Sequence, residues 1–262
     1  VASRGTHEIL RYNATTGAYV GVFVTAGSGG LSSPQDLVFG PNGNLFVSSI
    51  DTNEIIEYNG TTGAFIDEFV EDDPLTLMVD EDGGLAAPHG LRFGTGGDLY
   101  VASINTDEIK RYNGSTGAYI GNFVSAGSGG LDGPVGITFQ GGHLYVASFA
   151  TDHIKRYDAT SGAFVSDFVA AGSGGLDAPV GLVFGGLHND LFVASYGNDR
   201  VLVYDGATGS FAGTFAPTLS GGLNDPRMLA FGPDARLYTS GHINNQVMTT
   251  AATLVSSIPV GG

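Results

Sequence analysis

The feature that most constrains this chain is a stretch of roughly 45 residues that recurs along it. The clearest copy runs from Leu99 to His143 and opens with the text LYVAS. Similar text returns after 45, 47 and 46 residues, at Leu144, Leu191 and Leu237. An earlier copy starts at Leu45, 54 residues before Leu99. A period of about 40 to 50 residues that carries four strands is typical of a β-propeller blade.

Each copy contains four short runs that have the pattern of strands. In the clearest copy these are Leu99–Ser103, Glu108–Tyr112, Ala118–Val124 and Gly136–Phe139. The first three alternate side chains at period two. Both faces of LYVAS are apolar, so this strand must be covered on both sides, as happens when twisted sheets stack around an axis. Gly90, Gly136 and Gly181 suit the last run to the innermost position. The sequence therefore predicts an all-β propeller of four-stranded antiparallel blades.

The repeated text also resembles a known group of propellers. The pattern is Pro-x-Gly-Leu-x-Phe-Gly, then Leu-Tyr-Val-Ala-Ser, then Ile-x-x-Tyr-Asn. It looks like the NHL-repeat propellers and the related streptogramin-lyase-like and gluconolactonase-like propellers, and it covers essentially the whole chain. The resemblance implies a six-bladed fold and, for some relatives, lyase or lactonase chemistry. The matching residues are core and turn positions, so no catalytic residue is carried across.

Counting the copies predicts the number of blades. Six copies of the second strand start at Val1, Leu45, Leu99, Leu144, Leu191 and Leu237. We therefore expect six blades in one propeller domain over 1–262. Only five innermost runs are present, at Asp36–Gly40, Gly90–Gly94, Gly136–Phe139, Gly181–Gly185 and Met228–Gly232. The first blade thus lacks its inner strand.

The carboxyl end bears on how the ring closes. Ile258–Gly262 aligns with an outer strand and the start of a glycine-rich link rather than with an inner strand. We therefore expect that the chain is cut at one or both ends and that further sequence completes the ring. The alternative is that Ser256–Val260 folds in as the missing strand.

Composition narrows the class of partner. The 262 residues include 26 Asp plus Glu against ten Lys plus Arg, which gives a net charge of −16 and a pI near 4.4. Such a field repels nucleic acid and anionic membranes. Charged residues make up 14% of the chain, against roughly 25% in average globular domains. We expect an extracellular or periplasmic protein whose targeting segment is not part of this chain.

Cysteine and long apolar runs are both missing from the sequence. The absence of Cys excludes disulfides and thiol chemistry and leaves the redox compartment open. No run of about 18 apolar residues occurs, so the sequence predicts no membrane-spanning helix.

Three glycine-rich links have the identical sequence AGSGGL, at Ala26–Leu31, Ala126–Leu131 and Ala171–Leu176. No helix or Lys of a phosphate-binding loop follows them, so they are interpreted as crossovers between blades.

A link with a different composition contains Glu71-Asp72-Asp73 and later Asp80 and Asp82. These carboxylates are candidate Ca²⁺ ligands, although Gly84 stands where an EF-hand loop needs its third ligand. The alternative is a solvated acidic loop.

Three asparagines match the glycosylation acceptor pattern, at Asn13, Asn59 and Asn113. All three fall on the same hairpin turn of the repeat. Asn is favoured there by turn geometry alone, and this requirement explains the pattern without any sugar.

The candidate ligand-binding residues gather where the inner strands begin, together with the loops between second and third strands. The ligand-binding set is Gln35, Asp36, His89, Arg227 and His242, and the loops add Asp152, His153 and Asp199. Candidate metal ligands are Asp51, Glu54, Asp107, Glu108, Asp80 and Asp82. His89 is a candidate general base, because imidazole exchanges protons near neutrality. Val135 and Val180 occupy the matching positions in other copies, so the pocket is expected to have one polar and one apolar wall, between the first, second and third inner strands.

Three functions remain open at the level of sequence. The first is an extracytoplasmic binding or scaffolding module for a protein, glycan or small-molecule ligand, which requires no cofactor. The second is a lyase or lactonase that uses Ca²⁺ or Mg²⁺ to polarise a carbonyl. The third is a structural subunit that self-assembles when edge strands such as the one near Val1 pair with a neighbouring molecule.

Overall fold

A computed structural model of the chain describes residues 1–71, 82–220, 223–241 and 246–250. Its strands form antiparallel sheets arranged around an axis. Four sheets have four strands each, in sequence order from the innermost strand outward. They are β4 (Pro34–Phe39), β5 (Leu45–Ser49), β6 (Glu54–Tyr58) and β7 (Phe65–Val70); β8 (Pro88–Phe93), β9 (Leu99–Ser103), β10 (Glu108–Tyr112) and β11 (Tyr119–Val124); β12 (Pro134–Gln140), β13 (His143–Ser148), β14 (His153–Asp158) and β15 (Phe164–Val169); β16 (Pro179–Gly185), β17 (Asp190–Ser195), β18 (Arg200–Tyr204) and β19 (Phe211–Ala216).

Two further sheets have three strands each. They are β1 (Ala2–Ser3), β2 (Glu8–Tyr12) and β3 (Tyr19–Val24), and β20 (Pro226–Phe231), β21 (Leu237–Gly241) and β22 (Gln246–Thr250). Short 3₁₀ turns lie in the connections, at Ser28–Gly30, Ser128–Gly130, Phe149–Thr151, Ser173–Gly175 and Tyr196–Asn198. In the part of the chain that the structure describes, no helix is long and apolar enough to cross a membrane.

The number of blades differs from the number expected. Among the described residues, five strands hold the innermost position, namely β4, β8, β12, β16 and β20, and each contacts the next. The structure therefore shows five blades rather than the six expected. The expected number came from counting copies of the second strand in the sequence. The first of these copies forms β1, which pairs with β2 but has no inner strand beside it in the described structure, so its sheet is not a complete blade. The alternative closing strand, Ser256–Val260, lies outside the described residues.

Four second strands, β5, β9, β13 and β17, are covered on both sides, as their sequence predicts, whereas β21 is fully covered on one side only. In β9 and β13, Tyr100 and Tyr145 are at most 6% exposed, and the four following residues of the LYVAS text, Val101, Ala102, Val146 and Ala147, are fully buried. Leu99 and Val101 pack towards β5 and Phe46, whereas Tyr100 and Ala102 pack towards Val146. The two faces of one strand thus belong to two different interfaces between blades.

Glycine is required on three inner strands because neighbouring backbones approach closely there. A Cβ on Gly90, Gly136 or Gly181 would lie 2.4, 2.1 and 2.1 Å from the carbonyl oxygen of the second residue on the next inner strand. Such distances are far inside van der Waals contact, so no side chain fits. On β20 the matching residue is Met228, which lines both cavities described below.

A repeated tyrosine fixes the links to the blades. The hydroxyls of Tyr58, Tyr112, Tyr157 and Tyr204 donate to link carbonyls at 2.7 to 2.8 Å. The acceptors are the backbone oxygens of Ser28, Asp82, Ser128 and Ser173. The AGSGGL links are therefore 3₁₀ crossovers held by a buried ring, in agreement with their interpretation from sequence.

The three asparagines of the glycosylation pattern act in turns. In each case the side-chain oxygen accepts hydrogen bonds from the backbone N–H groups two and three residues later. Asp158 and Asp205 make the same bonds at the matching turns. This geometry accounts for the residue type at these positions.

Candidate functional site

The inner strands all begin at the same end of the ring, each with a proline, and we call this the proline end. The second residue of each strand lines the axis there. These mouth residues are Gln35, His89, Val135, Val180 and Arg227. Four of them are buried, and Arg227 is half-buried. Three of the mouth residues are polar and two are valines.

His89 is a buried neutral imidazole. Its Nδ1 lies 3.1 Å from the backbone oxygen of Ala87, which can only accept, so Nδ1 carries the proton. Burial lowers the pKa of His89 to about 4, with smaller contributions of the same sign from Arg227 and Arg4, while the Ala87 bond and Asp36 act in the opposite direction. A base with so low a pKa binds a proton weakly at neutral pH.

Gln35 and Asp36 are both engaged within the protein. The Gln35 amide donates to the Ser33 carbonyl at 3.0 Å, which parallels the bond of His89 one blade later. Asp36 Oδ2 accepts from the Arg92 guanidinium at 2.7 Å and from the backbone N–H of Leu91 at 3.3 Å. Asp36 therefore joins β4 to β8 through a partly buried ion pair.

Asp107, a candidate metal ligand, instead accepts a hydrogen bond from the next blade. Its Oδ1 lies 2.7 Å from the backbone nitrogen of Gly133, which directly precedes Pro134. The same bond recurs at 2.7 to 2.9 Å in other blades, as Asn53 to Ala87, Asp152 to Ala178 and Asp199 to Asp225, and in the first sheet His7 Nδ1 accepts from Ser33 at 2.8 Å. All five acceptor residues have a left-handed backbone conformation.

The other candidate metal ligands are dispersed. Asp51 accepts from the hydroxyls of Ser32 and Ser33, and the Ser33 bond is the main cause that holds the pKa of Asp51 below its usual value. Glu108 binds the buried Lys110 ammonium at 2.8 Å. Glu54 lies against the link at Gly30. Asp82 accepts from the backbone of its own turn.

Asp80 and His242 lie outside the described residues. Within the ranges that the structure describes, no three His, Asp or Glu side chains come close enough to hold a metal ion.

Two cavities lie beside the mouth, where β1, β4 and β20 face one another. The first, which we call the arginine pocket, has a volume of about 240 Å³ and is lined by Arg4, Gln35, Arg227, Thr6 and Tyr12, among others. The second, the Met228 cleft, has a volume of about 260 Å³ and is lined by Leu37, Asp36, Arg92 and Met228, among others. His89 lines neither cavity, so these cavities lie one junction away from the position expected from sequence.

Arg4 is the residue of this region that sequence reasoning missed. The position after the second strand is apolar in four other copies, at Ile50, Ile104, Phe149 and Tyr196. Arg4 departs from that pattern, and this departure is the signal that would have identified it.

Comparisons with known proteins concern the fold. No protein-family model matches the sequence, and no curated protein matches it either. A solved Nidogen/Laminin complex contains a chain with a TM-score of 0.69 and 18% identity, over 93% of this chain and 86% of that one.

Two lyase structures are also similar, with equal TM-scores. Virginiamycin B lyase from Staphylococcus aureus, solved in a catalytically inactive form with Quinupristin, has a TM-score of 0.63 and 17% identity, over 96% of this chain and 80% of that one. A Streptogramin B lyase structure has a TM-score of 0.63 and 16% identity, over 94% and 76%. At this level of identity the similarity establishes the β-propeller fold and no activity.

Proposed function

We propose that this chain is an extracellular binding module that holds a protein ligand at the proline end of its axis. The observation that carries the proposal is the composition of the mouth. Gln35 and Arg227 come from two of the inner strands and line a cavity of about 240 Å³, whose walls also include the apolar side chains of Leu10, Tyr12 and Met228. A concave site with apolar walls and a few fixed polar groups is the usual form of a binding site.

The state of the polar groups favours binding over catalysis. His89 is neutral, bonded to its own backbone turn and a weak base. The carboxylates suited to a metal mostly accept hydrogen bonds from the backbone, from hydroxyls or from Lys110, and they lie on different blades. A metal-assisted lyase or lactonase needs these groups to converge on one substrate atom, and their engagement elsewhere supports the binding function instead.

The comparisons support a protein ligand. One similar chain comes from a complex named for Nidogen and Laminin, so a propeller of related shape takes part in a protein assembly. The low content of charged residues fits a secreted protein.

The experiment is selection from a displayed peptide library on the immobilised protein. We expect enriched peptides whose affinity falls at least tenfold in Gln35→Ala or Arg227→Gln, because central contacts dominate binding energy. The matched control is Leu187→Ala, which alters the exposed turn between β16 and β17 at the opposite end. Failure to enrich any peptide, or loss of binding in the control alone, would overturn the proposal.

A second candidate function, a structural subunit, is favoured by the outer edge of β3. This edge strand exposes Tyr19, Val20 and Val22 and, like β11 and β19, carries no charge, whereas β7 has Asp67 and Glu68. Charges normally protect such edges from pairing with another chain. Sedimentation of the parent protein and of Val20→Lys tests it. A self-association that the Lys variant abolishes supports this function, and a monomer at all concentrations excludes it.

A further inference from the structure

The charge of the arginine pocket is opposite to that of the whole protein. The chain has a net charge of −16, with 26 acidic residues. The pocket nevertheless contains two arginines, Arg4 and Arg227, and no Asp or Glu among the residues that line it. A local positive potential inside a strongly negative molecule concentrates anions at one place.

Among the described residues no ion pair joins either arginine to a carboxylate, although Asp225 and Asp51 are near enough to act on Arg227 and Arg4 electrostatically. Other cations form such pairs, for example Arg92 with Asp36 at 2.7 Å and Arg111 with Asp98 at 2.5 Å. Arg227 Nε is buried and has no hydrogen-bond partner in the described structure. A buried donor without an acceptor costs free energy.

Arg227 is also held in place for recognition. Its guanidinium carbon lies 4.9 Å from the centre of the Tyr196 ring, so the planar group is stacked rather than free to rotate. Burial lowers the pKa of Arg227, and the charge of Arg4 acts in the same direction, while Tyr196 and Asp225 act in the opposite direction. Two like charges near one another are stabilised when an anion lies between them.

We propose that the arginine pocket binds a carboxylate group, and that this carboxylate is the anchor of the ligand; the inference rests on the proposed function. A guanidinium forms two parallel hydrogen bonds with the two oxygens of a carboxylate. The walls include Leu10, Tyr12 and Met228, which suit the aliphatic chain that carries such a group. A volume of about 240 Å³ accommodates an acidic side chain or a small dicarboxylate.

The test is titration of the parent protein with glutarate, with hexaglutamate and with inorganic phosphate at fixed ionic strength. Binding is followed by calorimetry and by amide chemical shifts. We expect saturable binding of glutarate and hexaglutamate, weakened about tenfold or more in Arg227→Gln and in Arg4→Gln, since hydrogen bonds to charged groups are the strong ones. Arg227→Lys keeps the positive charge but lacks the parallel N–H donors of the guanidinium, so it should give an intermediate affinity.

The matched control is Arg236→Gln, which removes an exposed arginine at the opposite end of the same sheet. Its affinity should equal that of the parent. The inference is overturned if no carboxylate saturates, if the control weakens binding as much as the pocket variants do, or if phosphate binds more tightly than glutarate. Arg4→Gln serves as the independent variant if Arg227→Gln fails to fold.

The two proposals fail in distinguishable ways. If selected peptides bind at the mouth but carboxylates do not saturate, the carboxylate anchor is wrong and the binding module stands. If carboxylates saturate with the expected variant pattern but no peptide is enriched, the anion site stands without a protein ligand.

Discussion

Asp107 and Gly133 are joined across the boundary between two blades by a 2.7 Å hydrogen bond from the Gly133 backbone N–H to Asp107 Oδ1. Both residues have positive φ, 58° and 60°. The bond therefore connects two turns that are each under conformational constraint. Because Asn53 makes the equivalent bond to Ala87, the position requires an acceptor oxygen rather than a negative charge.

This relationship predicts a difference between two variants of Asp107. Asp107→Asn should change the free energy of unfolding little, because the amide oxygen can accept the same bond. Asp107→Ala should lower it by about 1 to 2 kcal/mol through the unpaired N–H of Gly133. Urea unfolding of both variants measures the effect. Equal destabilisation by the two would show that charge, and so a metal or ion pair, matters at this position.

Gly136→Ala should be strongly destabilising. Its Cβ would lie 2.1 Å from the Val180 carbonyl oxygen, so the two inner strands would have to separate. We expect a loss of about 1 to 3 kcal/mol, the range for overpacking a tight interior. Gly213→Ala is the control, since no atom lies within 4 Å of a Cβ there. Thermal unfolding that ranks the two variants equally would contradict the close approach.

Val146→Ala tests the packing of one blade on the next. Val146 is completely buried, and its loss should cost about 1 to 3 kcal/mol through lost burial and a residual cavity. Val165 on the outer strand is 43% exposed, so Val165→Ala should have a much smaller effect. Urea unfolding of the two variants measures the difference, because a change in the midpoint at an unchanged dependence on denaturant reports a change in stability.

The stability of the protein should depend on pH through His89. The folded pKa is about 4, whereas an unfolded His titrates near 6.5. Between these pH values the unfolded state binds more protons than the folded state. The free energy of unfolding therefore falls as the pH is lowered from about 6.5 to about 4, and below that range the stability that the neutral His89 contributes is lost. The expected loss is on the order of 3 kcal/mol.

The variant His89→Gln provides the comparison for this pH effect. Gln35 already occupies the matching position on β4 with the matching hydrogen bond, so the substitution should fold. From pH 7 through 5.5 to 4, the free energy of unfolding of the parent should fall relative to that of the variant, because only the parent has the imidazole at this position. A constant difference over this range would mean that His89 does not carry the dependence.

The enzymatic alternative has a direct test. We expect no saturable turnover of an ester, lactone and cyclic depsipeptide panel with or without Mg²⁺ or Ca²⁺, because the described candidate carboxylates are engaged in hydrogen bonds. Any metal-dependent activity that His89→Ala abolishes would support the lyase or lactonase function and contradict ours.

The features of the fold that could be predicted are those whose packing requirement recurs in several copies of the sequence repeat. The double burial of LYVAS and the glycines of the inner strands follow from local pattern and steric necessity. The number of blades did not follow, because copies of the second strand were counted although a complete blade also needs an inner strand, and β1 has none beside it in the described structure.

The site was predictable only in part. Gln35 and Arg227 do line a cavity near the mouth. The role of Asp107 was not predictable, since residue type does not distinguish a metal ligand from an acceptor of a backbone N–H 26 residues away. The arginine pocket depends on residues from β4, β20 and the segment after β1, and such a juxtaposition is set by tertiary structure alone.

Met228 occupies the position on β20 that glycine occupies on three other inner strands. At Gly90, Gly136 and Gly181 the spacing of inner strands is set by backbone against backbone, which cannot yield. At the matching position of β20 a side chain, Met228, stands instead, and it lines both cavities between β20 and β4. A thioether chain changes rotamer at little cost, so we expect a ligand of different size to be accommodated beside Met228 while the other inner strands keep their positions.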